Sequence, residues 1–210
     1  MVRDRYTVGW ATSFSIAPQK SQSTPAVTPV KPSTFDPTEA VEAILYIAER
    51  LNRPTLHEIL KICYFADGAH LSQHGATATG DNYFAMYWGP VASEIYNLLK
   101  AGRGDEDSWV KASYLPLVAD AFDVKKKINV VIKRGPQLDY LSQSARDAFD
   151  WAIREYGDLD FGDRTALSHD QAWSKVWNAR PPDADRAEMS LVDIATFLSN
   201  APEVLEYLHA

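Results

Sequence analysis

The stretch from Leu56 to Leu71 limits what this chain can fold into more than any other. Wound on a 3.6-residue period, Leu56, Ile59, Leu60, Ile62, Cys63, Phe65, Ala66 and Leu71 leave only a narrow polar stripe. A helix that is apolar nearly all round has no face to give to water, so it belongs in the middle of a domain with other elements as its cover. Its limits are written locally. Arg53-Pro54 breaks the chain before it, Thr55 and Glu58 form a capping-box pair at its start, and Gly75 supplies a left-handed stop. A chain of 210 residues that is 46% hydrophobic can bury one good core around such a helix and has no room for two large domains.

The flanking segments read as that cover. Asp36, Pro37 and Glu39 open a helix whose Val41, Ile44, Leu45, Ala48 and Leu51 share a face. After a turn at Gly80-Asp81, the aromatic run over residues 83–88 reads as a strand that Pro90 ends. Pro90 then starts a helix at Val91, carrying Ile95, Leu98 and Leu99 and stopping at Ala101-Gly102. Residues 121–134 predict one or two short strands pairing near residues 83–88. Ser142 caps a helix with Ala145, Ala148, Phe149, Ala152 and Ile153 inside. A short helix follows over 160–167, Ser168 with Gln171 opens another, Ser190 with Asp193 caps one over 191–198, and Pro202 allows one more turn or two after it. The expected fold class is α+β and mostly α-helical: a compact helical domain around a buried central helix, with a small antiparallel β-sheet and an extended N-terminal arm.

Residues 1–34 form that arm, and residues 35–210 the domain. Pro18, Pro25, Pro29 and Pro32 stand among Ser, Thr and Gln with no sustained period after Ile16. Ahead of them, Tyr6, Trp10, Phe14 and Ile16 make a β-leaning piece that either docks on the body, meets a partner, or is an ordinary flexible terminus. Charge divides the same way. The whole chain is −7, residues 1–34 are +3 (Arg3, Arg5, Lys20 and Lys31 against Asp4), and the body is left at −10. An acidic body disfavours a phosphate backbone and suits a basic protein partner or simple solubility. The basic run Lys125–Lys127 with Lys133 and Arg134 reads as a solvated hairpin face, with no helix-turn-helix or zinc-finger spacing beside it. No apolar run approaches the ~18 residues that span a bilayer. The lone Cys63 excludes an internal disulfide, and a cytoplasmic protein is the expectation.

The run KICYFADGAHLSQHG, followed by GDNYFAM and GPVASEIYNLL, resembles the core signature of the Panacea (SocA-like) domain, a family associated with antitoxins and with phage-borne genes. Tyr140-Leu141-Ser142, Tyr156-Gly157-Asp158-Leu159 and Leu167-Ser168-His169-Asp170-Gln171-Ala172-Trp173 resemble its second half in order and spacing, over roughly residues 35–197. His70, Gly75, Gly80, Asp81, Tyr83, Met86, Gly89, Pro90, Val91, Ser168, His169 and Trp173 fall on these motifs, with architectural roles expected. The resemblance implies an antitoxin that neutralises a cognate toxin by direct protein contact, without cofactor or catalysis. Recognition would then fall on variable appendages, residues 1–34, 102–108 and 179–188. Exposed aromatics are the candidate contacts: Tyr6, Trp10, Phe14 and Ile16 in the arm, and Tyr87, Trp88 and Tyr96 in the body.

Two other readings stay open. Cys63, Asp67, His70 and His74 share a helical stripe that, closed by His169, would suit a metal-dependent hydrolase, against the plainer use of each as a core or hydrogen-bonding residue. A proteolytic adaptor that delivers a bound client would carry the same surface features as an antitoxin. No sequence feature fixes the oligomeric state.

Overall fold

Asp36 and Thr55 start the first two helices as their side chains dictate. In the computed structural model, which describes residues 34–52 and 54–209, α1 spans Pro37–Arg50, and the Asp36 carboxylate accepts the Thr38 and Glu39 amides. The central helix α2 spans Leu56–His74. Thr55 and Glu58 cap it reciprocally, and Gly75 ends it at φ 70°. Every residue of α2 from Ile59 to Leu71 is buried. Its cover comes from both sides of the chain: α3 (Ser93–Arg103), α5 (Gln143–Tyr156), α6 (Phe161–Ser168), α8 (Leu191–Ala195) and α9 (Ala201–His209) all touch it, as does α1. Between these lie α4 (Leu115–Ala121) and α7 (Gln171–Ala179).

The strands depart from the sequence expectation. β1 (Tyr83–Met86) is followed by β2 (Gly89–Ala92), so Gly89-Pro90 is itself strand and α3 begins only at Ser93. Proline is tolerated there because β2 is the outer strand of the order β2-β1-β5, where a missing N–H on the unpaired side removes no ladder bond. The other neighbour of β1 is β5 (Arg186–Met189), antiparallel and in register from Tyr83↔Met189 to Met86↔Arg186. That segment overlaps residues 179–188, expected to be a variable loop. β3 (Phe122–Lys125) and β4 (Asn129–Ile132) form a separate two-stranded sheet rather than joining β1. Two helix limits also move, and one helix is added. α3 runs through Gly102 to a left-handed stop at Gly104, α4 was not foreseen, and Asp170 rather than Ser168 caps α7. The basic run is partly paired: Lys125 and Lys133 pair with Asp123 and Arg134 with Glu42 and Asp120, while Lys125, Lys126 and Lys127 are exposed at the turn of the β3–β4 hairpin.

A buried carboxylate brace ties the end of α2 to the sheet. Asp67 accepts hydrogen bonds from the Thr79 amide (2.9 Å), the Thr79 hydroxyl and the Tyr83 hydroxyl (2.8 Å). Asp81 accepts the Asn82, Glu94 and Ile95 amides at 2.7, 3.0 and 2.8 Å, capping α3 from a distance because Ala92 at its N-cap offers no side-chain acceptor. Burial pushes the Asp67 carboxyl up to about 6 and that of Asp81 up to about 7, against the pull of these donors. Gly80, at φ 66°, lets the chain turn between the two carboxylates.

Candidate functional site

The β1–β2 hairpin turns on two residues, Tyr87 and Trp88, and both point outward with 66% and 55% of their surface exposed. They do not stand alone. Trp88 meets Tyr87 edge-on (4.7 Å, 90°) and Phe161 at the start of α6 (5.3 Å, 69°), while Tyr87 reaches Trp177 of α7 (6.4 Å, 74°). The Arg180 guanidinium lies 3.4 Å over the Trp177 ring. Four rings from three elements thus make one aromatic ridge, with a cation at its end.

Under the ridge is a mount assembled from residues far apart in sequence. From α2, the fully buried Lys61 donates to the Pro90 carbonyl at 2.8 Å, one strand of the hairpin. From α7, the Trp173 indole donates to the Met86 carbonyl at 3.0 Å, the other strand. His169 stacks flat on Trp173 (3.7 Å, 3°), which in turn stacks on Trp177 (5.6 Å, 14°). Gly89 closes the turn at φ 96°. A Cβ there would lie 2.5 Å from Ser168 Oγ and 2.7 Å from Lys61 Nζ, so the hairpin can seat this deeply only on a glycine. Ser168 donates to the Thr165 carbonyl (2.9 Å). Asp170 caps α7 through the Trp173 amide (2.9 Å) and accepts the Tyr64 hydroxyl (2.7 Å).

Burial keeps the mount close to neutral. It pushes the Lys61 amine down to about 7, opposed by Asp170. Burial, then Lys61 and Arg164, push His57 down to about 3, while burial and Lys61 lower His169, opposed by a hydrogen bond with the Tyr87 backbone. Two buried ring nitrogens, His57 Nδ1 and His169 Nε2, have no hydrogen-bond partner among the described residues. What the arrangement offers is exposed aromatic contact area held in one position by buried bonds.

The motif residues fall into three groups. Met86, Gly89, Pro90, Ser168, His169 and Trp173 meet in the hairpin mount, with Val91 half-buried in β2. Gly80, Asp81 and Tyr83 belong to the carboxylate brace, and His70 and Gly75 lie at the end of α2. The proposed metal stripe does not converge. Cys63 is buried in the core, Asp67 is engaged by Thr79 and Tyr83, and His70 bonds the Ala76 carbonyl and Ser144, leaving His74 as its ring neighbour. His169 is stacked in the hairpin mount, and among the described residues no three of His, Cys, Asp and Glu gather where they would hold an ion. Tyr96 is half-buried with Lys100 beside its ring, unlike Tyr87 and Trp88. Tyr6, Trp10, Phe14 and Ile16 lie outside the described residues. Sequence reasoning missed Lys61, Phe161 and Trp177; only Lys61 left a trace, as a lone cation in an apolar helix.

A family model described as antitoxin SocA-like, Panacea domain, matches residues 59–174, more than half of the chain and a span that carries Lys61, Met86, Gly89, Pro90, Ser168, His169 and Trp173 of the mount, with His57 just before it and Trp177 and Arg180 just after it. No curated protein and no solved structure matches the chain significantly. The chain belongs to the SocA-like antitoxin family that is defined by the Panacea domain.

Proposed function

We propose that this chain is an antitoxin that neutralises a cognate toxin by direct protein contact, with the aromatic ridge around Tyr87 and Trp88 at the centre of the docking surface. The observation that carries this reading is the union of exposure and rigidity at the hairpin tip. Two large aromatic side chains are held in water by buried bonds to both strands beneath them. Tyr and Trp dominate binding energy at interfaces because they supply large contact area with few rotatable bonds. A contiguous apolar patch exposed at such cost is ordinarily one that a partner covers. The acidic body, −10 over residues 35–210, favours a basic toxin and speeds its capture. Such a toxin and its antitoxin would meet in the cytoplasm.

The test is co-expression with the small toxin encoded beside the gene. Tyr87→Ser with Trp88→Ser should keep the thermal midpoint, weaken toxin binding by about 30-fold or more, and abolish growth rescue, the behaviour of a hot-spot pair. Full rescue by the double variant would move the docking surface elsewhere.

A further inference from the structure

A second site lies away from the hairpin, and none of the mount residues lines it. A groove of about 810 Å³ opens between the end of α2, the loop 76–78, residues 140–145 and α9. His70 and Ser144 face one another in it. The His70 Nδ1 is 2.6 Å from the Ala76 carbonyl oxygen, which can only accept, so Nδ1 carries the proton. That leaves the Nε2 lone pair free to accept, and the Ser144 hydroxyl stands 3.0 Å from it. A hydroxyl bonded to an imidazole whose far nitrogen is oriented by a fixed acceptor is the arrangement that activates a serine. Burial and the neighbouring His74 ring lower the pKa of His70, opposed by the Ala76 bond, so the ring is a free base at neutral pH.

The helix around Ser144 supplies the remaining part. Ser144 is the second residue of α5, a helix of 14 residues. The first intrahelical bond runs from the Arg146 amide to Ser142 O, and the Ser142 hydroxyl takes the Ala145 amide, so the Gln143 and Ser144 amides are spent on neither. They stand at the positive end of the helix that carries the nucleophile, an end that favours negative charge. The Ser142 hydroxyl, 3.1 Å from Ser144 Oγ, is a further hydrogen-bonding group there. Leu141, Ala145, Val204 and Tyr207 give the groove apolar walls, and Glu39 and Glu203 on its rim disfavour anions.

We infer that this groove is an acyl-transfer site in which Ser144 is the nucleophile and His70 its general base, acting on uncharged or cationic esters or amides. Ser144 Oγ forms a bond to the acyl carbon as its proton passes to His70 Nε2. Collapse of the tetrahedral adduct breaks the bond to the leaving alkoxide or amine, which departs with the electron pair and takes the proton from Nε2. Water then adds to the acyl-Ser144 carbon, giving a proton to His70. The acid is released, and that proton returns to Ser144 Oγ. This site stands apart from the toxin-docking reading.

The full chain should be treated with an alkyl fluorophosphonate and, separately, with p-nitrophenyl butyrate. The expected result is one phosphonyl adduct per chain, mapped to Ser144 by mass spectrometry, with a labelling rate that rises with pH through a midpoint below 6.5 and an ester-cleavage burst of matching size. Ser144→Ala should remove the adduct and the burst while keeping full growth rescue from the toxin. His70→Gln, if it folds, should slow labelling at least 100-fold. A folded native chain that acquires no adduct at Ser144 overturns the proposal, without recourse to any variant. Loss of toxin rescue in a folded Ser144→Ala chain would assign the groove to toxin binding and likewise overturn it.

Discussion

Lys61 is the residue on which burial and function pull in opposite directions. Its side chain is 1% exposed, and its amine donates to the Pro90 carbonyl under the hairpin. An ammonium in that place would be costly, and burial lowers its pKa from 10.5 to about 7. The linkage sign follows. Below pH 7 folded and unfolded chains both carry the proton. Between about 7 and 10.5 the unfolded chain binds a proton that the folded chain has released, so stability rises with pH across that window. Lys61→Met should flatten this rise, removing on the order of 1 kcal/mol per pH unit. Urea unfolding of both proteins at pH 7, 8 and 9 checks it; equal slopes would mean that Lys61 is charged in the fold.

At the scale of elements, α2 is the axis on which everything else is hung. Phe65 has none of its surface exposed and stacks on Tyr156 of α5 at 3.9 Å and 18°. Phe65→Ala should therefore destabilise the protein by about 3–5 kcal/mol, the usual cost of deleting a core aromatic. A thermal melt reads this directly, and an unchanged midpoint would make α2 peripheral. The limits of α2 were legible because capping residues act within one turn of themselves. β2 was not, because a proline after a glycine looks like a break unless the strand is known to lie on an edge. β5 was not either. Its Arg-Ala-Glu-Met sequence has no strand period of its own, and it is strand because β1 offers it an unpaired edge.

On the scale of the whole molecule, charge is distributed against itself, +3 on residues 1–34 and −10 on the remainder. Both the body and a toxin are therefore available partners for the arm, and the two outcomes differ in cells. Deleting residues 1–34 should leave a folded domain, since every described core residue lies beyond it. If Tyr6, Trp10, Phe14 and Ile16 take part in toxin recognition, as we expect, the truncated chain will lose at least tenfold in toxin affinity and rescue growth poorly. Full rescue would place recognition on the body, residues 35–210.

By itself the sequence determined the buried helix, most of the helix caps and the membership of the chain in its family. Each of these is encoded in residues within a few positions of one another, by 3.6-residue periodicity, by side chains that reach the nearest free amides, or by short motifs. Only the tertiary structure decided which motif residues meet. Lys61, Met86, Gly89, Ser168 and Trp173 are spread over more than a hundred residues and become one mount when α2, the hairpin and α7 pack together. The metal stripe failed for the same reason. Helical spacing sets which residues share a face, but the partners that occupy them, Thr79 for Asp67 and Ala76 and Ser144 for His70, arrive from loops and helices that the spacing does not describe.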